Sequence, residues 1–318
     1  MKDLLRTADL SRGDLELILR LARSTQIEPR CYRHLLDARI VVLYFAQPSI
    51  RTRLSLQAAV VSLGGMPVVI GPGDLRLDRG ETIEDTARVM SRYAAAITVR
   101  TPVHEELERF AAAASVPVVN ALTDMHHPTQ SLADLLTIRN RFGRHGAKVA
   151  YLGDGNNVAH SLMEACALAG LDIAIASPPG FEPDPTLTWQ AAELAAANGG
   201  SLVLTDDPLK AADDAQVVYT DVWLSIGDSE GERETRRAAL SSYAVDRDVM
   251  AVAAPDAMFL HCLPANRDQE VSASVIDGPH SRVFDQAENG MHTARALLVA
   301  LYRGQLSGRQ ARDLVEES

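Results

Sequence analysis

The sequence predicts an α/β protein of two doubly wound parallel-sheet domains joined by helices, with the last helix packing back on the first domain. Three observations carry that expectation. Short apolar runs alternate with helical stretches along nearly the whole chain, as they do where parallel strands are linked by helical crossovers. At 318 residues the chain exceeds the size at which a single core keeps growing. A polar stretch at 138–148, with Gly143 and Gly146, interrupts the alternation midway and reads as a linker. The expected division is therefore 1–143, with 287–318 returning to it, and 144–286.

The elements follow in order. Residues 41–45 and 66–70 are apolar runs without polar alternation, as strands covered on both faces require. Between them 54–63 reads as a helix, so the break at Pro48 falls at a strand-to-helix turn. Strands at 96–100 and 116–120 complete the first sheet. Beyond the polar stretch come 148–152, 172–177, 201–205, 217–221 and 258–262. The apolar pair 283–284 reads as one further strand, and the helical pattern from about 287 to 304 runs back towards the first domain.

Composition narrows the function. A net charge of −11 excludes a nucleic acid or an anionic membrane as partner unless basic groups are concentrated on one face. Three widely spaced cysteines, Cys31, Cys166 and Cys262, form no metal motif and suit a reducing compartment. The amino terminus has no basic start followed by a long apolar run, and no window approaches membrane-spanning length. A cytoplasmic protein is expected.

In open parallel sheets ligands bind beyond the carboxyl ends of the strands, and polar residues gather there. After the first strand, Ser49-Ile50-Arg51-Thr52-Arg53 has the composition of an anion cradle at a helix start; the alternative is a capping serine with surface arginines. Arg100 ends an apolar strand, where a guanidinium calls for an anionic partner. His127-Pro128-Thr129-Gln130 offers an imidazole and an amide at another helix start. Asn156 and Asn157 read as amide donors for a carboxylate, or as helix caps. The preceding Gly153-Asp154-Gly155 lacks the rest of a dinucleotide fingerprint, since Val158 stands where a glycine belongs. Asp221 suits an ammonium ligand. Cys262 has three readings: a nucleophile, a small buried hydrophobe, or a pH-responsive thiol beside Asp221.

Taken together, Ser49–Arg53, His127-Pro128-Thr129-Gln130, Asp221 through Ser225-Ile226-Gly227, His261-Cys262-Leu263-Pro264 and Glu288-Asn289 resemble the ornithine and aspartate carbamoyltransferases, most closely the ornithine branch. The resemblance implies transfer of a carbamoyl group from carbamoyl phosphate to ornithine, giving citrulline and phosphate. By it, carbamoyl phosphate lies against Ser49, Ile50, Arg51, Thr52, Arg100, His127 and Gln130, with Cys262 and Leu263 closing over it. Ornithine lies against Asn157, Asp221, Ser225 and Ile226. The catalytic set is Arg51, Thr52, Arg100, His127, Asp221 and Cys262. The resemblance implies no metal or organic cofactor and a homotrimer, in which 73–79 reaches a neighbouring subunit's site.

The chain departs from that pattern at three positions. Ile50 replaces a threonine, Gly290 an arginine, and Arg76 a glutamine. The first two weaken the carbamoyl-phosphate pocket, a lost charge-assisted hydrogen bond costing about 1.5–3 kcal/mol. Arg76 is expected to restore, from another subunit, the guanidinium missing at Gly290. Ile226, where the ornithine branch favours methionine, leaves open a different amine acceptor, and a non-catalytic metabolite-binding paralogue is the third reading.

Overall fold

The computed structural model describes residues 2–75, 80–143, 147–224 and 229–304. The chain divides into two compact units, Met1–Leu132 with Gly290–Ser318, and Ala133–Asn289.

The first unit is built on a four-stranded parallel sheet in the order β2-β1-β3-β4, with β1 Ile40–Phe45, β2 Met66–Ile70, β3 Ala94–Arg100 and β4 Val118–Leu122. Helices α1 (Arg12–Ile27), α2 (Ile50–Ser62), α3 (Ile83–Met90) and α4 (His104–Ala113) cover and connect the strands. The start of α1 is fixed reciprocally: Ser11 Oγ accepts from Asp14 N–H, and the Asp14 carboxylate accepts from Ser11 N–H. Central β1 and β3 bring Val41, Leu43, Ile97 and Val99 into the core, where Leu107 and Phe110 of α4 are also buried. Edge strand β2 is only half covered, with Met66 exposed.

The second unit holds a five-stranded parallel sheet in the order β7-β6-β5-β8-β9, with β5 Lys148–Leu152, β6 Asp172–Ala176, β7 Leu202–Thr205, β8 Val217–Thr220 and β9 Met258–His261. All its pairings are parallel and without a register shift. Helix α6 (Asn157–Ala169) is buried from Val158 to Ala169. Its small residues allow that, and Gly170 in the left-handed conformation ends it. Helices α7 (Pro185–Asn198), α8 (Pro208–Ala212), α9 (Glu230–Leu240), α10 (Arg247–Val252) and α11 (Ala273–Ile276) complete the unit.

Two helices are shared between the units: α5 (Pro128–Phe142) and α12 (Val283–Gly304). The division falls inside them, at Leu132/Ala133 and Asn289/Gly290, rather than in the polar stretch at 138–148. Buried polar bonds explain why the end of α5 and the start of α12 belong to the second unit. Gln286 Nε2 donates to Asp134 Oδ1 at 2.6 Å and Asn289 Nδ2 to Thr137 Oγ1 at 2.8 Å. Within the first unit, Arg295 of α12 donates to the carbonyls of Pro29 and Cys31.

The strand expected at 283–284 is instead the first turn of α12. The extended pairing lies just before it: Phe259 N–H donates to His280 O and Arg282 N–H to Phe259 O, each at 3.0 Å. Two apolar residues are too few for periodicity to separate a strand from a helical turn.

Candidate active-site residues

Each sheet reverses its strand order once, and the candidate residues lie at those two reversals. In the first unit the chain runs from β1 outward to β2, then returns to add β3 and β4 on the other side. The carboxyl ends of β1 and β3 flank the reversal, where such sheets open a ligand crevice. Phe45 and Arg100 are register partners there, and Ala46 N–H donates to Arg100 O at 2.8 Å.

Ser49 stands at the cap position of α2 in an extended conformation. Among the described residues, its hydroxyl bonds none of the helix N–H groups. The first turn of α2 therefore takes no side-chain cap from Ser49, as a helix start that binds an anion would require. Arg51 and Thr52 are half-buried in that turn, while Ile50 is exposed. His127 is buried just before α5, with its Nδ1 3.3 Å from Thr129 Oγ1. Burial, then the guanidinium groups of Arg100 and Arg51, push its pKa down to about 3. The imidazole is thus neutral at any working pH. Gln130 lies in the first turn of α5, and its N–H donates to His127 O at 3.0 Å.

In the second unit the reversal lies between β5 and β8. Asn156 caps α6, its Oδ1 accepting from Val158 N–H at 2.9 Å and Ala159 N–H at 3.2 Å. Its Nδ2 donates to Asp221 Oδ2 at 2.8 Å. Asn156 is therefore a cap and a partner of Asp221, and Asn157 opens the helix beside it. Buried Asp221 accepts at Oδ1 from Val222 N–H at 2.7 Å and from Cys262 Sγ at 2.9 Å. Three neutral donors thus orient the Asp221 carboxyl group at the end of β8, where it can face a cation.

Cys262 is half-buried and in no disulfide, and its Sγ donates to Asp221, the neighbour that the third reading of the thiol expects. Leu263 follows in a left-handed conformation, φ 57°, with its N–H donating to His261 Nδ1 at 2.8 Å. Asp221, His261 and Cys262 each present one atom of metal-ligand type, all within 4.8 Å of one another. Cysteine spacing alone could not reveal that grouping, since cysteine supplies only one corner of it. The expected site residues Arg76, Ser225 and Ile226 lie outside the described residues.

The turn after β5 is shaped by its glycines. Gly153 has φ 132°, and a Cβ on Gly155 would come within 2.1 Å of Pro183 N. Beside this turn the structure shows a residue the sequence did not single out. Arg236 of α9 donates from Nε to Trp223 O at 2.6 Å and from Nη2 to Asp154 Oδ2, and its Cζ lies 5.2 Å from the centre of the Phe181 ring. In sequence it belongs to the run Glu232-Arg233-Glu234-Thr235-Arg236-Arg237, which reads as a solvated helix face. No local signal distinguishes it from its neighbours.

Comparison with known proteins finds a match for each half of the chain. Residues 2–140 match the family model for the carbamoyl-P binding domain of aspartate/ornithine carbamoyltransferase, and residues 145–301 match its Asp/Orn binding domain. The ornithine carbamoyltransferase of Parafrankia sp. (strain EAN1pec) is 51% identical over 294 residues, 91% of this chain and 92% of that protein. That of Bacillus subtilis (strain 168) is 47% identical over 308 residues, 96% of each. The solved ornithine carbamoyltransferase from Pyrococcus furiosus superposes with a TM-score of 0.92 at 45% identity, covering 96% of this chain and 98% of that one.

Proposed function

The chain belongs to the aspartate/ornithine carbamoyltransferase family, and from that premise we propose that it transfers the carbamoyl group of carbamoyl phosphate to the side-chain amine of ornithine, giving citrulline and phosphate. The observation that carries this reading is the opposite chemistry of the two reversals, guanidinium and helix N–H groups at one and a hydrogen-bonded carboxylate at the other.

The first unit acts as the carbamoyl-phosphate domain and the second as the amino-acid domain. The phosphate sits on the N–H groups opening α2, beside Ser49, Ile50 and Arg51, where the positive end of the helix and the guanidinium favour an anion. Thr52, Arg100 and neutral His127 hold the carbonyl oxygen. That oxygen becomes negative as the amine attacks, so donors already in place stabilise the transition state more than the ground state. Gln130 holds the carbamoyl amide.

Asp221 grips the α-ammonium of ornithine, and Asn157 its carboxylate. The attacking amine has an ordinary pKa of roughly 10, so it reacts from the small neutral fraction or after losing a proton. The new C–N bond forms as the C–O bond to phosphate breaks, and the departing phosphate takes the proton. Cys262 donates to Asp221 and keeps the carboxylate aimed. Ser225 and Ile226 add contacts to the amino acid.

Arg76 supplies the guanidinium that Gly290 lacks, from a neighbouring copy. Among the described residues, an added Cβ on Gly290 meets no heavy atom within 4 Å, so the helix keeps the space of a larger side chain. Raised KM for carbamoyl phosphate in Arg76→Gln is the expected outcome, and an unchanged value removes Arg76 from the site.

Exposed Ile50, Leu54 and Val61 on α2 and Met66 on β2 supply an apolar surface for trimer contacts, and light scattering after gel filtration reads the assembly. No helix among the described residues is long and apolar enough to cross a membrane, which accords with a cytoplasmic site of action.

The test of the reaction is direct. Carbamoyl phosphate is offered with ornithine, lysine, putrescine and aspartate in turn, and phosphate release and ureido product are followed together. Turnover with ornithine is expected. Turnover only with another amine, or none with any, overturns the reading.

A further inference from the structure

We propose that Arg236 is a positioning residue for the amino-acid substrate, holding from behind the two strand-end turns that build the Asp221 site. This rests on the reading that the second unit takes ornithine.

Three contacts converge on one guanidinium. Nη2 meets Asp154 Oδ2 in the turn after β5, Nε meets Trp223 O after β8, and Cζ lies 5.2 Å from the Phe181 ring centre. The pair is largely withdrawn from solvent, with side-chain exposures of 21% for Arg236 and 16% for Asp154, where an ion pair is screened less than on the surface.

Each tethered turn leads within two residues to the substrate-facing carboxylate or its partner. Asp154 is two residues before Asn156, whose amide donates to Asp221 Oδ2 at 2.8 Å. Tyr151 OH fixes the same turn from inside, donating to Asp154 O at 2.9 Å. Trp223 is two residues after Asp221, and its ring nitrogen lies 3.9 Å from where a Cβ on Gly153 would stand. Arg236 therefore fixes the separation of Asn156 and Asp221 without belonging to either turn. It also pairs with Asp154, so the turn after β5 does not offer that carboxylate unpaired to an ammonium beside Asp221.

A lysine cannot replace it. An ammonium is a single point of charge on a flexible stem and cannot reproduce a planar fork that meets a carboxylate and a carbonyl in fixed directions.

The experiment is steady-state kinetics with both substrates varied, on wild type, Arg236→Gln, Arg236→Lys, Asp154→Asn and the double variant Asp154→Asn/Arg236→Gln. The amine is whichever acceptor wild type turns over, so a failure with ornithine itself is read on wild type alone and counts against the acceptor assignment. Arg236→Gln is expected to raise the KM for the amine about tenfold or more while that for carbamoyl phosphate stays within about twofold. Arg236→Lys, the milder change, is expected to raise it at least about threefold. The double variant is expected to be no worse than the poorer single one, because both remove the same link. A parallel rise in both KM values, an amine KM within twofold of wild type in both Arg236 variants, or full additivity in the double variant overturns the proposal.

Discussion

The two reversal points share a topology and differ in how their polar groups are employed. At the first, the helix-capping residue is Ser49, whose hydroxyl bonds none of the α2 N–H groups among the described residues. At the second, Asn156 caps α6 through its oxygen and holds Asp221 through its nitrogen. One site keeps its donors for an incoming anion, and the other assembles neutral donors around a charge it already has. The difference follows from ligand charge. An anion is best met by N–H groups awaiting a partner, whereas a buried carboxylate must be solvated by the protein before any ligand arrives.

The largest effect that tests this contrast is expected from Asp221→Asn. Losing the charge should lower kcat/KM for ornithine by about a thousandfold, corresponding to the roughly 3–5 kcal/mol lost when one partner of a buried pair is removed. The KM for carbamoyl phosphate should stay near the wild-type value. Equal losses with both substrates would erase the distinction between the sites.

Next in size is an acid effect confined to the first site. His127 has its pKa pushed down to about 3 against about 6.5 when unfolded. Between those values the unfolded chain binds a proton that the folded one refuses, so stability falls as pH drops through that window and is unaffected above it. The loss from this group should reach about 2 kcal/mol at pH 5. Denaturant unfolding of wild type and His127→Asn at pH 7.5 and 5 isolates it, since the variant should lack that share of the pH dependence.

A smaller effect separates the two caps. Asn156→Ala should cost about 1–2 kcal/mol of unfolding free energy, because it removes a cap and a donor to Asp221. Ser49→Ala should cost under about 0.5 kcal/mol, because it removes no cap, and should instead raise the KM for carbamoyl phosphate. Equal destabilisation by thermal melting would show that Ser49 caps α2 after all. The smallest expected change is a gain: Gly290→Ala, within a helix and with open space around it, should stabilise by about 0.5–1 kcal/mol.

Much of this was legible in the sequence because it is carried by short-range signals. The observed β2 and β5 coincide with the expected 66–70 and 148–152, since apolar runs bounded by turn residues specify strands locally. Arg100, His127, Asp221 and Cys262 stand out in the sequence because strand ends are where parallel sheets place ligands. What was missed depends on distant partners. The membership of Asp134 and Thr137 in the second unit rests on Gln286 and Asn289, each 152 residues away. Arg236 matters through Asp154, 82 residues earlier, and its own charged helix gives no hint of it. Asn156 was read as donor or cap, and it is both, because an amide has two ends.

The thiol of Cys262 has a use beyond the reaction. Cys166 is fully buried, with its thiol pushed well above the ordinary range by burial and by Asp134, and burial and Glu28 also raise Cys31. Cys262 alone of the three touches the carboxylate assigned to the amino acid. Its rate of alkylation by an added reagent is therefore a built-in occupancy gauge for that carboxylate, readable by mass spectrometry without labelling the substrate.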